Sequence, residues 1–423
     1  MQASPPLASS RNPLFLSEAM LAAYVFAVVV FSFRSGTTII AMAMGVLMVI
    51  AFLYESLFRI KGFKFILPIP LAFFYAFVIF AFVSLLWSSG GMNITVTLLQ
   101  LFVSTFVMVN IVHHRQSIAW LKGGYLCALL YTSFDVWRSG DFTGGDGSER
   151  VTSFLGNANV LAIALFIGIL FLLDSLFKIR DKAKSPLMLL IQNGAIVLLL
   201  ALFSYEVIFL TGSRKGMISV FLVFFMFFLR SFLTATFMKK LLNIAIGGVI
   251  IAGLYQWLQE SVFFKRFLRL FSVLSGENVN EGSLNERASM AMDGIRLWME
   301  KPILGWGTNQ FRYISGYDKY AHNNYVELLS NNGIVGFVIY YLMIVALLVL
   351  GVKLVRHPDK NRSSQGWFTL TALVVIIVWD FALVSYYSKL HWLLLSILIG
   401  MTYNAAVPRP KRAAANNVSR PAS

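Results

Sequence analysis

A histidine followed by two asparagines, His322-Asn323-Asn324, ends the longest polar stretch of the chain. Imidazole has an unperturbed pKa of about 6.5 and is the usual general base at neutral pH, and the neighbouring amides can hold its ring. A lone histidine is more often a structural or surface residue, so both interpretations stay open here. Gly333 and Gly336 follow, and they permit close packing where the chain enters the next apolar segment.

A second polar group, Gly212-Ser213-Arg214-Lys215-Gly216, lies at the predicted start of an apolar helix. A helix N-terminus presents free N–H groups and a partial positive charge, to which Arg214 adds a planar guanidinium and Lys215 a second cation. Such a group can bind an anion at the membrane surface. The alternative is an arginine that only anchors a helix end at the membrane interface.

Residues 283–300 have the periodicity of an amphipathic helix, and Pro302 ends it. Arg287 falls at the edge of the predicted apolar face, whereas Arg296 lies among acids on the polar face. Burying a guanidinium costs several kcal/mol unless an anion meets it, so either a glutamate or a phosphate ligand is expected beside Arg287. The predicted apolar face comprises Leu284, Ala288, Ala291, Ile295 and Trp298.

A third polar stretch, Gly156-Asn157-Ala158-Asn159, opens an earlier apolar segment and can add polar contacts. The chain has no histidine pair at i,i+4 and no clustered aspartate motif, so no metal site and no cofactor are expected. The single Cys127 lies inside an apolar segment, which excludes a disulfide framework and a cysteine metal site.

Membrane helices must position these candidates, because the 423-residue chain is 58% hydrophobic and only 13% charged. Its mean hydropathy is +0.73. Apolar runs of about 20 residues predict transmembrane α-helices. Twelve are expected, at 18–33, 36–54, 66–87, 94–112, 119–137, 155–176, 187–209, 215–233, 239–258, 334–355, 366–384 and 386–404.

The basic residues predict an orientation for these spans. If both termini are inside, the lysine and arginine clusters of the short loops all fall on the cytoplasmic side. The other side then has a neutral turn at 88–91 and the loops 138–154 and 259–323. The net charge of +16 therefore reflects the positive-inside rule, and nucleic acid is not expected as a partner.

The order and spacing of these motifs resemble the O-antigen ligase and O-antigen polymerase superfamily of bacterial membrane glycosyltransferases. His322-Asn323, followed after nine residues by Gly333 and then by Gly336, is similar to the motif that ends the long periplasmic loop of the ligases. Three further segments are similar to family patterns and occur in the expected order: Gly156-Asn157-Ala158-Asn159, Leu210-Thr211-Gly212-Ser213-Arg214, and Arg287 through Pro302, Gly305 and Gly307 to Phe311.

Together, the apolar pattern and the resemblance predict an all-α polytopic membrane protein with about 12 transmembrane helices. A long periplasmic loop containing the amphipathic helix is expected between spans 9 and 10. The expected location is the bacterial inner membrane, with the active site facing the periplasm. The predicted parts are a cytoplasmic tail (1–17, read as the start of an uncleaved signal anchor), spans 1–9 (18–258), a periplasmic catalytic loop (259–323), a re-entry helix with spans 10–12 (324–406) and a disordered cytoplasmic tail (407–423).

The resemblance also implies an activity: inverting, metal-independent transfer of a glycan from undecaprenyl diphosphate to lipid A–core. In this scheme Arg214 and Arg287 bind the diphosphate and stabilise the leaving group, and His322 deprotonates the acceptor hydroxyl. The residues expected to contact substrate are Lys215, Asn323, Asn157 and Asn159.

Two alternatives to a ligase stay open. A polymerase of O-antigen or exopolysaccharide repeat units shares the fold and much of this residue set, and the spacing of the histidine and the glycines favours the ligase. A membrane transporter is the more distant alternative. Transporters usually carry polar groups near the bilayer midplane, often in two related halves, whereas the polar candidates of this chain collect at one face.

Overall fold

The computed structural model describes residues 14–33, 36–115, 118–139, 155–178, 186–234, 236 and 282–406. Within these ranges the chain forms helices joined by irregular segments, without a β-strand. The predicted ninth span, the first part of the long loop, most of the predicted N-terminal tail and all of the predicted C-terminal tail lie outside the described residues. The prediction of an all-helical polytopic membrane protein is confirmed.

Thirteen α-helices occur in the described part of the chain. A π-helical turn extends α2 over Tyr54–Arg59 and α7 over Glu206–Leu210, and a 3₁₀ turn extends α3 over Ser84–Leu86. The helices are α1 (Phe15–Phe31), α2 (Thr38–Leu53), α3 (Ile69–Val83), α4 (Met92–Arg115), α5 (Ala119–Ser139), α6 (Ala158–Lys178), α7 (Pro186–Tyr205), α8 (Arg214–Thr234), α9 (Gly282–Glu300), α10 (Phe311–Ile314), α11 (Asn324–Val355), α12 (Lys360–Asp380) and α13 (Lys389–Ala406).

Eight of the described helices are long and apolar enough to cross a membrane, namely α2, α3, α4, α6, α7, α8, α11 and α12. Helix α1 is apolar but shorter, and α5 and α13 are helical without meeting the same threshold. Every predicted span within the described residues is therefore helical, while the total of twelve stays a prediction. The centre of the bundle is formed by α6 and α13, which are buried throughout 161–173 and 390–402.

At one end of the bundle, hydrogen bonds join the segments that connect the helices. The hydroxyl groups of Ser84 and Thr308 lie 2.9 Å apart and join the end of α3 to the segment after α9. The Oδ1 atom of Asn324 accepts from Ser385 N at 2.9 Å and joins α11 to the segment before α13. This end, where α6, α8 and α11 begin, is called the loop face below.

Ion pairs lie at the other end of the bundle. Glu18 near the start of α1 pairs with Arg115 at the end of α4. Lys122 at the start of α5 pairs with Asp174 near the end of α6. The alternation of helix directions agrees with the predicted order of the spans. Because no membrane is present, the assignment of the loop face to the periplasm stays a prediction.

Helix α11 is interrupted at Gly333, whose φ of 60° and ψ of −170° are not helical. A Cβ atom at this position would lie 2.3 Å from the carbonyl oxygen of Ile303, so only glycine fits without a shift. The next two N–H groups donate to the loop: Ile334 to the carbonyl of Pro302 (2.9 Å) and Val335 to that of Ile303 (3.2 Å). The predicted tenth span starts just after this break.

Candidate active site

The break in α11 leaves two backbone carbonyls without their usual helical donors, and the segment after α9 donates hydrogen bonds to them. In an uninterrupted helix Ser330 and Asn331 would accept from the residues four positions later. Instead, Ser330 O accepts from Trp306 N (3.0 Å) and Asn331 O accepts from Gly307 N (2.7 Å). A Cβ atom at Gly305 would lie 2.5 Å from the backbone of Asn331. At this loop–helix junction, formed by residues 302–307 and 330–335, helix hydrogen bonds are exchanged for bonds between loop and helix.

His322 lies at the end of the same loop, in the left-handed region with a φ of 54°. A non-glycine residue in this region is uncommon and persists where the surrounding structure holds it. The ring centroid of His322 lies 4.2 Å from that of Tyr320, and Ala321 between them is 1% exposed. Asn323 then caps α11, because its Oδ1 atom accepts from Val326 N at 3.1 Å. A turn fixed to the start of α11 therefore places the imidazole.

The two amides expected to hold the imidazole are bonded elsewhere, so that prediction is wrong. Asn323 is used as the cap of α11. The Nδ2 atom of Asn324 donates to the hydroxyl of Tyr341 (3.1 Å) and to Asp380 (3.2 Å), and its Oδ1 atom accepts from Ser385 N. Both asparagines are committed to the first turn of α11 and its contacts with neighbouring segments. The expected contact of Asn323 with substrate stays a prediction.

Cations from two other elements act on the His322 imidazole. Burial lowers its pKa from 6.5 to about 4, and the next causes are the positive charges of Arg287 and Lys215. Lys319 adds a smaller effect in the same direction, while Glu286 opposes it. A cation disfavours a second positive charge nearby, so the imidazole is neutral at pH 7 and can accept a proton. The charges of Arg287 on α9 and Lys215 on α8 therefore both act on His322.

Arg287 is half-buried on the face of α9 that packs against α11, three residues before the buried Met290. Among the described residues no carboxylate lies within ion-pair distance of Arg287. Arg296 lies on the opposite face of α9 and pairs with Asp293 at 3.0 Å. Within the described residues, this contrast favours an external anion over a glutamate as the partner of Arg287.

The predicted apolar face of α9 is only partly correct. Ala288 and Ile295 are exposed, whereas Met290 and Gly294 are buried. A Cβ atom at Gly294 would lie 2.2 Å from Cγ1 of Val326, so only glycine allows α9 to approach α11 so closely at this point. The small residue therefore decides which side of the helix faces the protein, and Arg287 is turned toward the protein with it.

Arg214 and Lys215 open α8 at the loop face. Ser213 caps this helix, since its Oγ atom accepts from Gly216 N at 3.2 Å. The Nζ atom of Lys215 donates to the carbonyl of Ala382 and thereby joins α8 to the segment after α12. Arg214 is half-buried one residue earlier. The N-terminus of α8 and two basic side chains are thus combined at one helix end, and their predicted binding of an anion stays a prediction.

Asn157 and Asn159 stabilise the neighbouring start of α6. The Oδ1 atom of Asn157 accepts from Asn159 N at 2.8 Å, and its carbonyl accepts from Val160 N at 3.0 Å. The Oδ1 atom of Asn159 accepts from the Ser213 hydroxyl at 3.0 Å, which ties α6 to the residue before Arg214. Both residues therefore have structural roles beside the start of α8. Their expected contacts with substrate stay predictions.

Sequence reasoning missed Glu327 and Asn331, two fully buried polar residues in the first turns of α11. An acidic residue five positions after His322, in a chain with few acids in its apolar segments, was the available signal, because such residues are functional suspects by default. No group of three or more His, Cys, Asp and Glu side chains suited to a metal ion occurs in the described ranges. The candidate groups described above are an imidazole and the basic side chains whose charges act on it.

One comparison with known proteins matches the segment that carries most of the candidate residues. Residues 196–341 match a family model described as O-antigen ligase, over about a third of the chain. The matched segment includes Arg214, Lys215, Arg287, His322 and Asn323, and it ends within α11. A search of curated proteins found no match. The resemblance seen in the sequence is confirmed by this match, and residues 196–341 are the part of the chain that is similar to the O-antigen ligase family.

Proposed function

We propose that the protein is an O-antigen ligase that transfers a glycan from undecaprenyl diphosphate to lipid A–core at the periplasmic face of the inner membrane. The observation that carries the proposal is that the start of α8, with Arg214 and Lys215, the inward side of α9, with Arg287, and the His322 turn before α11 all lie at the loop face. The family match supports a ligase-like or polymerase-like membrane glycosyltransferase.

In the proposed reaction a hydroxyl of lipid A–core gives its proton to the His322 imidazole while its oxygen attacks the anomeric carbon. The bond between that carbon and the diphosphate oxygen breaks, and undecaprenyl diphosphate leaves with the electron pair. Attack opposite to the leaving group inverts the configuration. A sugar hydroxyl is a poor nucleophile, so the step benefits from a base.

Negative charge grows on the diphosphate as the bond breaks, and Arg214, Arg287 and Lys215 are the groups proposed to stabilise it. Losing one preorganised stabilising group in an active site typically costs about 10²–10³-fold in kcat. The leaving group is a diphosphate, so it needs cations rather than a general acid. In the proposed scheme these side chains supply the positive charge without a metal ion.

Burial is the largest cause of the low pKa of His322 in the free protein, and the next two causes, Arg287 and Lys215, are cations proposed to bind the diphosphate. Bound diphosphate would offset their charge, so the pKa of His322 would rise toward its ordinary value when the donor is present. A general base works best when its pKa lies near the operating pH. The base would therefore be strongest when the donor occupies the site.

The test is complementation of a strain that lacks this gene. Wild type, His322→Ala and His357→Ala are expressed to equal levels, and lipopolysaccharide is separated on a gel. His357 is a matched control, because it lies after α11 at the other end of the bundle and its Nδ1 atom accepts from Asp359 N at 3.0 Å. Wild type and His357→Ala are expected to attach long glycan to lipid A–core.

His322→Ala is expected to leave bare core while polymer accumulates on the lipid carrier. If the mutant instead leaves core that carries a single repeat unit, the protein is the repeat-unit polymerase of the same superfamily. If His322→Ala is fully active, the assignment of the base is wrong and the transporter alternative gains support.

A further inference from the structure

Glu327 lies one turn into α11, has no exposed surface and reaches back to the residue before His322. Its Oε2 atom accepts from Ala321 N at 2.6 Å, and its Oε1 atom accepts from Asn331 Nδ2 at 3.1 Å. We infer that Glu327 is a positioning residue, which holds the His322 imidazole at the loop face by fixing the backbone of Ala321. The inference rests on the proposed function for the catalytic role of His322.

The donors and acceptors around Glu327 have a fixed direction. The backbone N–H of Phe311 can only donate, so the Asn331 atom that it meets at 2.7 Å must be the side-chain oxygen. The Asn331 amide nitrogen therefore faces Glu327 as a donor, and the N–H of Ala321 is a second donor. A carboxylate meets both with its two oxygens. A glutamine of the same shape would present an N–H₂ group to one of these donors.

The conformation of His322 explains why such support is needed. A φ of 54° is a value that residues with side chains avoid, and it persists only where neighbours fix the chain on both sides. On the following side, Asn323 is fixed as the cap of α11. On the preceding side, the N–H of Ala321 is fixed by Glu327. Removing the Glu327 contact would release one side of this turn.

The same buried contact positions the arginine of the site. The side chain of Ala321 packs in a small apolar cluster with Met290, Phe311 and Val326. Met290 lies on α9 three residues after Arg287. Glu327 therefore stabilises the turn that carries the proposed base against the helix that carries the proposed diphosphate ligand. A small shift of Ala321 would change the separation of the two groups.

The test compares purified full-length wild type with Glu327→Gln in transfer from undecaprenyl-diphosphate-linked glycan to lipid A–core in detergent. Glu55→Gln is the matched control. Glu55 is also fully buried and accepts from two backbone N–H groups, Ser17 (2.8 Å) and Leu16 (3.1 Å), but it lies at the end of the bundle away from the loop face. Thermal unfolding is measured for every variant.

We expect Glu327→Gln to lower kcat by about 10²-fold, because small misplacements of catalytic groups have effects of that size, while KM for the lipid-linked glycan changes little. Glu55→Gln is expected to keep its kcat. The inference is overturned if Glu327→Gln keeps wild-type kcat, or if kcat falls in both variants in proportion to lost folded protein. If Glu327→Gln does not fold, Glu327→Asp is used instead, because its shorter side chain keeps both carboxylate oxygens but places them farther from Ala321 N. An unchanged kcat in Glu327→Asp also overturns the inference.

A second readout separates this inference from the proposed function. The five histidines are labelled with ¹³C at Cε1, and the His322 signal is assigned from its loss in His322→Gln. The pKa of His322 is expected to move from about 4 toward 6.5 in Glu327→Gln but not in Glu55→Gln, because the ring leaves its buried, cationic surroundings. If wild type transfers no glycan while this signal moves, the proposed function fails and the positioning role stands. An unmoved signal refutes the positioning role.

Discussion

Removing the positive charge of Arg287 should raise the pKa of His322. In the free protein the titratable and charged groups acting on this imidazole are Arg287 and Glu286 from α9, Lys215 from α8, and Lys319 from the loop. The three cations disfavour protonation of the ring, and Glu286 favours it. In Arg287→Gln the ring binds a proton more readily, so its pKa rises and its neutral fraction at mildly acidic pH falls.

The order of the causes limits the size of the effect. The pKa of His322 falls from 6.5 to about 4, with burial as the largest cause, Arg287 second and Lys215 third. The opposing effect of Glu286 is smaller than that of Lys215, so Arg287 accounts for at most about half of the fall. We therefore expect Arg287→Gln to raise the pKa of His322 by at most about one pH unit.

The assay is the ¹³C titration of His322 between about pH 3.5 and pH 8, together with the acidic limb of kcat/KM, which reports the free enzyme. Both should shift upward in Arg287→Gln, and kcat should also fall by about 10²–10³-fold as leaving-group stabilisation is lost. Arg296→Gln is the control on the same helix, because Arg296 is exposed and paired with Asp293. A wild-type pKa near 6.5, or an equal shift in both variants, would refute the reasoning.

Two further predictions concern the loop–helix junction and the proposed independence of the reaction from metal ions. Gly333→Ala should lose most transfer activity and lower the unfolding temperature in detergent, because the new Cβ would lie 2.3 Å from the Ile303 carbonyl. Gly316 also has a positive φ, of 79°, but a Cβ atom added there would have no other atom within 4 Å. The control variant Gly316→Ala should therefore keep its activity and lose about 1–2 kcal/mol in folding stability. A chelator such as EDTA should leave the initial rate of transfer unchanged, and a rate lost with EDTA and restored by a divalent ion would contradict the proposed chemistry.

The apolar runs were sufficient to predict the membrane helices, because burial in lipid leaves the helix as the main way to satisfy backbone groups along a single segment. They were not sufficient to place the start of α11. The apolar run begins after Gly333, yet the helix begins at Asn324 and includes several polar residues. Those residues are helical because their side chains bond to the loop and to neighbouring segments: Asn331 to Phe311, for example, and Asn332 to Thr308.

The side chains of the candidate site were largely predictable from residue type, whereas their surroundings were not. Arg287 was identified as a candidate anion ligand because the periodicity placed its guanidinium at the edge of an apolar face. The helical periodicity nevertheless predicted that Ile295 faces the protein. Periodicity could not show that the close approach of α9 to Val326 requires Gly294. The role of Glu327 depends on a backbone N–H, and a backbone donor has no signature in the sequence.

The exchange of hydrogen bonds at the loop–helix junction explains why the glycines of the loop and those of α11 belong together. A loop can replace a helix hydrogen bond only if two backbones come into contact, and Gly305 and Gly333 are where side chains would prevent this. The helix in turn must be interrupted, because in a continuous helix the carbonyls of Ser330 and Asn331 would accept from residues of α11 and would not accept from the loop. The bonds that stabilise the loop therefore join it to the membrane helix that begins beside His322. The polar segment that ends at His322, which is proposed to bind a lipid-linked substrate, is thereby held at a fixed position on the bundle, and the proposed base lies where this loop joins the first turn of α11.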